Sequence, residues 1–286
     1  MAKDAFKLTL PDVQSTSVIF ASPHSGRDYP WSFLRRSELD ELAIRSSEDA
    51  FMDMLIASAP SCGAALLAAR MPRAFLDLNR ASDELDPAVI EGVHQVSHNP
   101  RIASGLGVIP RVVSNGRAIY RGKLKLSEAH ARISEYWRPY HDQLAELMSD
   151  TRRDFGEAIL IDCHSMPHEA VDAVTQSGLA RPEVVLGDRF GASADSAIVE
   201  RIETIFLEAG LRVSRNAPFA GAFTTQHYGR PSRRQHAVQI EIDRSLYMNE
   251  MRVRPNGNFD NFRALMTRVV AEISEIGRKK LRVAAE

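Results

Sequence analysis

The sequence predicts an α/β protein of three layers, αβα, in which a largely parallel sheet carries helices on both faces. Three observations predict it. Short runs of Val, Ile, Leu and Ala fall at residues 18–21, 64–69, 158–161, 183–186, 211–213 and 237–242. They are largely apolar at every position rather than at alternate ones, the pattern of strands buried on both faces. Between them lie stretches with helical spacing. At 286 residues, with 44% hydrophobic and 26% charged, the chain is long enough for one large α/β core.

The helical stretches are legible from their apolar stripes. From Ser127, the residues Ile133, Trp137, Tyr140, Leu144 and Leu147 follow one face, with Pro139 inside the pattern, where it should kink or break the helix. Ile198, Ile202, Ile205 and Phe206 form a second stripe, stopped by Gly210. Leu265, Val269, Ile273 and Ile276 form a third. Residues 83–124 have weak periodicity and many Gly, Pro, Asn and His; they read as an irregular excursion, of the kind that serves function or is disordered. With no repeat, low-complexity segment or linker, residues 1–286 read as a single catalytic domain. Gly105 and Gly107 do not make a dinucleotide fingerprint, because Pro110 stands at the third glycine position.

Bulk properties narrow the partners. The net charge is −1 with signs mixed along the chain, which argues against nucleic acid or an anionic membrane. No run approaches the ~20 apolar residues of a membrane span, and the start MAKDAFKLTL lacks a signal-peptide core. Two cysteines, Cys62 and Cys163, make no disulfide framework. A cytoplasmic protein is the expectation; the oligomeric state is not readable.

Active sites of open parallel sheets lie at the carboxyl ends of the strands. His24 ends the first run, before Ser25-Gly26, and His164 ends another, before Ser165. A lone histidine there is ordinarily a polar terminus; two in equivalent places are candidate metal ligands, and imidazole suits zinc. Asp162 shares a strand face with His164, as an orienting carboxylate or a ligand itself. A third ligand is expected from elsewhere in the chain. Asp49 and Glu48 are the candidates, each with the alternative of a helix cap. Glu241 shares a face with Gln239 and Asp243, either as the wet side of an edge strand or as a general base of raised pKa. The segment from Arg73 through Asp77, Asn79 and Arg80 offers guanidinium and amide groups that bind carboxylates. A cysteine nucleophile at Cys163 is disfavoured, since adjacent strand residues face opposite ways, and no Gly-x-Ser-x-Gly elbow is present.

These segments resemble the N-formylglutamate amidohydrolase family. The matching pieces run in order: Pro23-His24-Ser25-Gly26 with Tyr29-Pro30, Asp49 with Asp53 and Leu55, and Asp77-Leu78-Asn79-Arg80. They continue through residues 105–110, Tyr120, Tyr140-His141, 162–167, 186–189 and Gly229 to Gln239-Ile240-Glu241-Ile242 and Leu246-Tyr247-Met248. The resemblance implies a mixed sheet of about eight strands, similar to zinc carboxypeptidases and, more distantly, aspartoacylase. It implies zinc on His24, Asp49 and His164, with Glu48 as the fallback, Glu241 as general base, and Arg80, Asn79 and Arg73 on a substrate carboxylate. The carboxypeptidase ligand pattern has a Glu three residues after the first His; this chain has Arg27. The implied substrate is a small acidic N-acyl amino acid, foremost N-formyl-L-glutamate, with a place in histidine degradation. Arg121 is the candidate for the second carboxylate. Ala222 departs from an expected glycine and Gln226 from an expected basic residue. Other divalent metals suit the same donors, and a deacylase or peptidase on another N-acyl amino acid, or a non-catalytic binding homologue, are the competing readings.

Overall fold

The computed structural model describes residues 4–94, 99–172, 175 and 180–278. Its main sheet has seven strands: β1 (Phe6–Thr9), β2 (Val18–Ser22), β3 (Ala65–Ala69), β4 (Ala158–Met166), β5 (Val184–Gly187), β6 (Val213–Arg215) and β7 (Gln235–Asp243). The spatial order is β1-β3-β2-β4-β7-β5-β6. β3, β2, β4 and β7 run parallel, while β1 and β5 pair antiparallel with β3 and β7. The mixed, largely parallel sheet is the expected one, with one strand fewer than eight. A separate two-residue pair, β8 (Met248–Asn249) and β9 (Arg254–Pro255), lies outside it.

Both faces of the sheet are covered, which is why β2, β3, β5 and the first half of β4 are apolar at successive positions. Val18, Phe20, Ile159, Ile161, Val238 and Ile240 pack against helices Ser196–Glu208 and Phe259–Ile276. Ile19, Ala21, Leu67, Leu160 and Ala237 face the other way, against helix Arg138–Phe155 and the excursion. That excursion is irregular but packed: Val89, Ile90, Val108, Ile109, Val113, Ile119 and Leu124 are all buried.

Pro139 does not end its helix. Helix Leu126–Arg132 passes through a π turn, Ile133–Trp137, into Arg138–Phe155. The wider turn absorbs the missing N–H and moves the preceding carbonyl off the proline ring. The strand expected at 211–213 starts two residues later, because Leu211 turns inward after Gly210. β1 was not expected at all. It is a short, half-exposed edge strand with too few apolar positions to signal itself.

One of the two apolar faces changes character at the carboxyl ends of the parallel strands. On the second face, Ala158 and Leu160 give way to Asp162 and His164, and Ala237 to Gln239, Glu241 and Asp243. The β2 chain turns just beyond Ser22, and a Cβ added at Gly26 would lie 2.1 Å from the Met71 carbonyl oxygen. Gly26→Ala should therefore displace the turn that carries His24 and destabilise the protein by about 1–3 kcal/mol. Urea unfolding measures this; a wild-type midpoint would mean the two backbones are not held in contact.

Candidate active site

A cavity of about 490 Å³ opens at the carboxyl ends of β2, β4 and β7, within the range of small-molecule sites. Its lining includes His24, Asp49, Asp77, Asn79, Arg80, His164, Glu241 and Arg244.

His24, Asp49 and His164 are buried, and one ligand atom from each lies within 4.8 Å of the others. The two imidazoles sit edge to face, 4.7 Å apart. Each is held from behind by a carboxylate. His24 Nε2 lies 2.7 Å from Asp77 Oδ1, and His164 Nε2 lies 3.1 Å from Asp162 Oδ2. The Asp77 bond assigns a proton to His24 Nε2, and both Nδ1 atoms face Asp49. His164 Nδ1 is 2.9 Å from Asp49 Oδ2 and His24 Nδ1 3.5 Å. His24 Nδ1 is buried without a hydrogen-bond partner. A lone pair and a carboxylate oxygen so close together repel each other unless a cation lies between them. Two imidazoles backed by carboxylates, with a third carboxylate in front, is the donor chemistry of a zinc site. The residues present fit a divalent metal.

Asp49 does not cap a helix. Its N–H donates to the His24 carbonyl, and Arg244 Nη2 donates to Oδ1 at 3.0 Å. The turn that presents it ends at Phe51, whose φ of 66° is unusual for a bulky residue. Burial alone would raise the Asp49 pKa, but the neighbouring His164 and His24 hold it well below the usual carboxylate range. Burial would likewise lower the His164 pKa, yet the Asp162 charge and the bonds to Asp162 and Asp49 raise it well above the usual value. Glu48 faces elsewhere: its carboxylate takes Tyr29 Oη at 2.7 Å and Arg45 Nε at 2.9 Å.

Glu241 lies on a central strand, opposite His164 in register, so the edge-strand alternative does not hold. Burial pushes its pKa up to about 7; the Asp49 charge also raises it, and the His164 charge opposes both. Gln239 Nε2 donates to Oε1 at 2.8 Å, which fixes the carboxylate over the cavity. Cys163 packs into the core of the opposite face, so it cannot act with His164.

The expected substrate-binding residues divide. Arg80 is buried and lines the cavity. Arg73 also lines it, with Nε donating to Asp77 Oδ2 at 2.9 Å. Asn79 has both ends of its amide engaged within the protein. Oδ1 accepts from the Thr224 N–H at 2.8 Å, and Nδ2 faces His164 and Asp162. It positions neighbours rather than offering a free amide. Arg121 is misplaced by the sequence reading: its side chain is 85% exposed and pairs with Glu38, because the excursion turns it outward. Arg244, Asp77 and Gln239 were given no role from sequence. Arg244 follows the carboxyl end of β7 directly, and that position was the available signal.

A family model described as N-formylglutamate amidohydrolase matches residues 16–248. The chain belongs to the N-formylglutamate amidohydrolase family. An N-formylglutamate deformylase of Pseudomonas aeruginosa is 32% identical over 216 residues, covering 74% of this chain and 75% of that protein. An N-formylglutamate deformylase of Pseudomonas putida is 30% identical over 237 residues, covering 82% of each. The crystal structure of N-formylglutamate amidohydrolase from Ralstonia eutropha superposes with a TM-score of 0.89 at 34% identity, covering 97% of this chain and 99% of that one. Within this N-formylglutamate amidohydrolase family member, Ala222 lines the cavity with φ −126°, a conformation that needs no glycine. Its neighbour Gly221 takes the positive φ of 108°, and a Cβ there would meet Thr225 Oγ1 at 2.4 Å. Gln226 lies in an adjoining recess with Arg101 and Arg189. No helix among the described residues is long and apolar enough to cross a membrane.

Proposed function

We propose that the protein is a metal-dependent amidohydrolase that releases formate from N-formyl-L-glutamate. The observation that carries this reading is the buried donor set of His24, Asp49 and His164, which shares a cavity with Glu241 and Arg80. Family membership and the named activity of the relatives support the substrate.

His24, Asp49 and His164 would hold the ion, and zinc suits two imidazoles and a carboxylate. When bound, the metal supplies Lewis acidity to the amide oxygen and acidity to a water. The rest of the chemistry belongs to the chain. Glu241 takes a proton from the attacking water at its carboxylate. It returns the proton to the amide nitrogen as the C–N bond breaks, so that formate and the free amine leave. Its buried setting favours such a two-way role, because neither protonation state is strongly preferred near neutral pH. Asp77 and Asp162 hold the two imidazoles in place, and Arg244 fixes Asp49. Arg80 holds a substrate carboxylate and thereby orients the amide over Glu241.

Formate release from N-formyl-L-glutamate, followed beside N-acetyl-L-glutamate, tests the reading. Turnover of the formyl substrate is expected, with the acetyl compound slower. Metal-loaded protein that leaves the formyl compound intact would overturn the substrate assignment.

A further inference from the structure

Four arginines line the cavity, and two of them form no ion pair among the described residues. Arg73 pairs with Asp77 and Arg244 with Asp49. Arg80 is only 6% exposed, yet its protein partners are backbone carbonyls: Nε donates to Leu106 and Nη1 to Asn79. Among the described residues it forms no ion pair. Arg101 stands at the exposed rim on the short helix Pro100–Ala103. Its N–H is capped by Asn99, and its guanidinium forms no ion pair among the described residues. The neighbouring acid, Glu84, is engaged with the Ala81 N–H and with Asn99.

An enclosed guanidinium without a counter-charge is costly. Burial lowers the Arg80 pKa first; the charges of Arg73 and Arg101 lower it further, and the nearby Asp77 and Glu84 charges, which form no ion pair with it, offset only part of this. A dianionic ligand would relieve both free arginines, which a monoanionic one cannot do. The covalent structure of an N-acyl glutamate sets which carboxylate goes where. The α-carboxylate sits one carbon from the amide nitrogen, so it stays deep, beside the residues that act on the amide. The side-chain carboxylate is two methylenes further out, toward the rim.

We propose that Arg101 is a specificity-determining residue that receives the side-chain carboxylate, while Arg80 receives the α-carboxylate. This rests on the amidohydrolase reading, and it makes the cavity selective for dicarboxylic over neutral N-formyl amino acids.

The test compares N-formyl-L-glutamate with N-formyl-L-glutamine in the metal-loaded enzyme and in Arg101→Gln and Arg101→Lys. Arg101→Gln should raise KM for the glutamate substrate about tenfold, as expected for one charge-assisted contact at a partly exposed rim, with kcat little changed. The glutamine substrate should be unaffected, and Arg101→Lys should recover part of the loss. Equal effects on both substrates, or none on either, overturn the proposal. Calorimetric binding of the same two compounds to Glu241→Gln, with and without Arg101→Gln, gives a readout independent of turnover. If the wild type hydrolyses neither compound but Arg101→Gln selectively weakens dicarboxylate binding about tenfold, the amidohydrolase reading fails and the assignment of Arg101 stands. If Glu241→Gln binds no dicarboxylate, the assignment falls.

Discussion

Glu241→Gln is expected to lower kcat for N-formyl-L-glutamate by about 10²- to 10⁴-fold, the usual worth of a positioned general base. The substitution keeps the shape of the side chain but removes the site that takes the proton. Little else should change. Glu241 lies on β7 in the middle of the sheet, and among the described residues its carboxylate accepts a side-chain hydrogen bond from Gln239 alone. The amide oxygen of glutamine can accept that bond in the same way. Burial already disfavours the charged carboxylate, so a neutral replacement should leave stability unchanged or slightly raised. None of the three proposed metal ligands is touched, so bound metal should be retained. Steady-state kinetics beside a thermal melt separate the outcomes. A loss below tenfold with the fold intact would assign the proton transfer to another group.

The second large effect concerns the two histidines, and their surroundings predict different behaviour. His24→Ala and His164→Ala should each abolish stable metal binding and turnover, because two remaining donors hold a divalent ion poorly. Stability should separate them. Without His24, Asp77 still has Arg73 and the Asn79 N–H as partners. Without His164, Asp162 is left fully buried with only a 3.4 Å contact from Asn79, and its Oδ1 already lacks a partner. An uncompensated buried carboxylate costs about 3–5 kcal/mol. His164→Ala should therefore unfold at markedly lower urea than His24→Ala. Equal midpoints would mean that Asp162 is not held by His164 in the way the distances indicate.

The parts legible in the sequence were those set by a repeating pattern. The apolar runs of β2, β3, β4 and β5, the apolar positions of β7 and the three long helical stripes follow directly from burial. The strand-end rule found His24 and His164, and strand alternation placed Glu241 with Gln239 on the cavity face. What escaped is non-local. β1 depends on pairing with β3, not on its own residues. Asp49 and Glu48 are neighbours in sequence, and only the turn ending at Phe51 decides which of them faces the imidazoles. Arg121 and Arg101 lie on the same irregular excursion, where no periodicity tells inward from outward. Arg244 and Asp77 act through other side chains, and such partnerships are invisible until the chain is folded.

The measurement that tests the central claim most directly is metal content and formate release on one preparation, before and after chelation. About one divalent ion per chain is expected at the three-donor site. Its removal should abolish hydrolysis of N-formyl-L-glutamate, and added zinc should restore both together. Full turnover by metal-free protein would contradict the account.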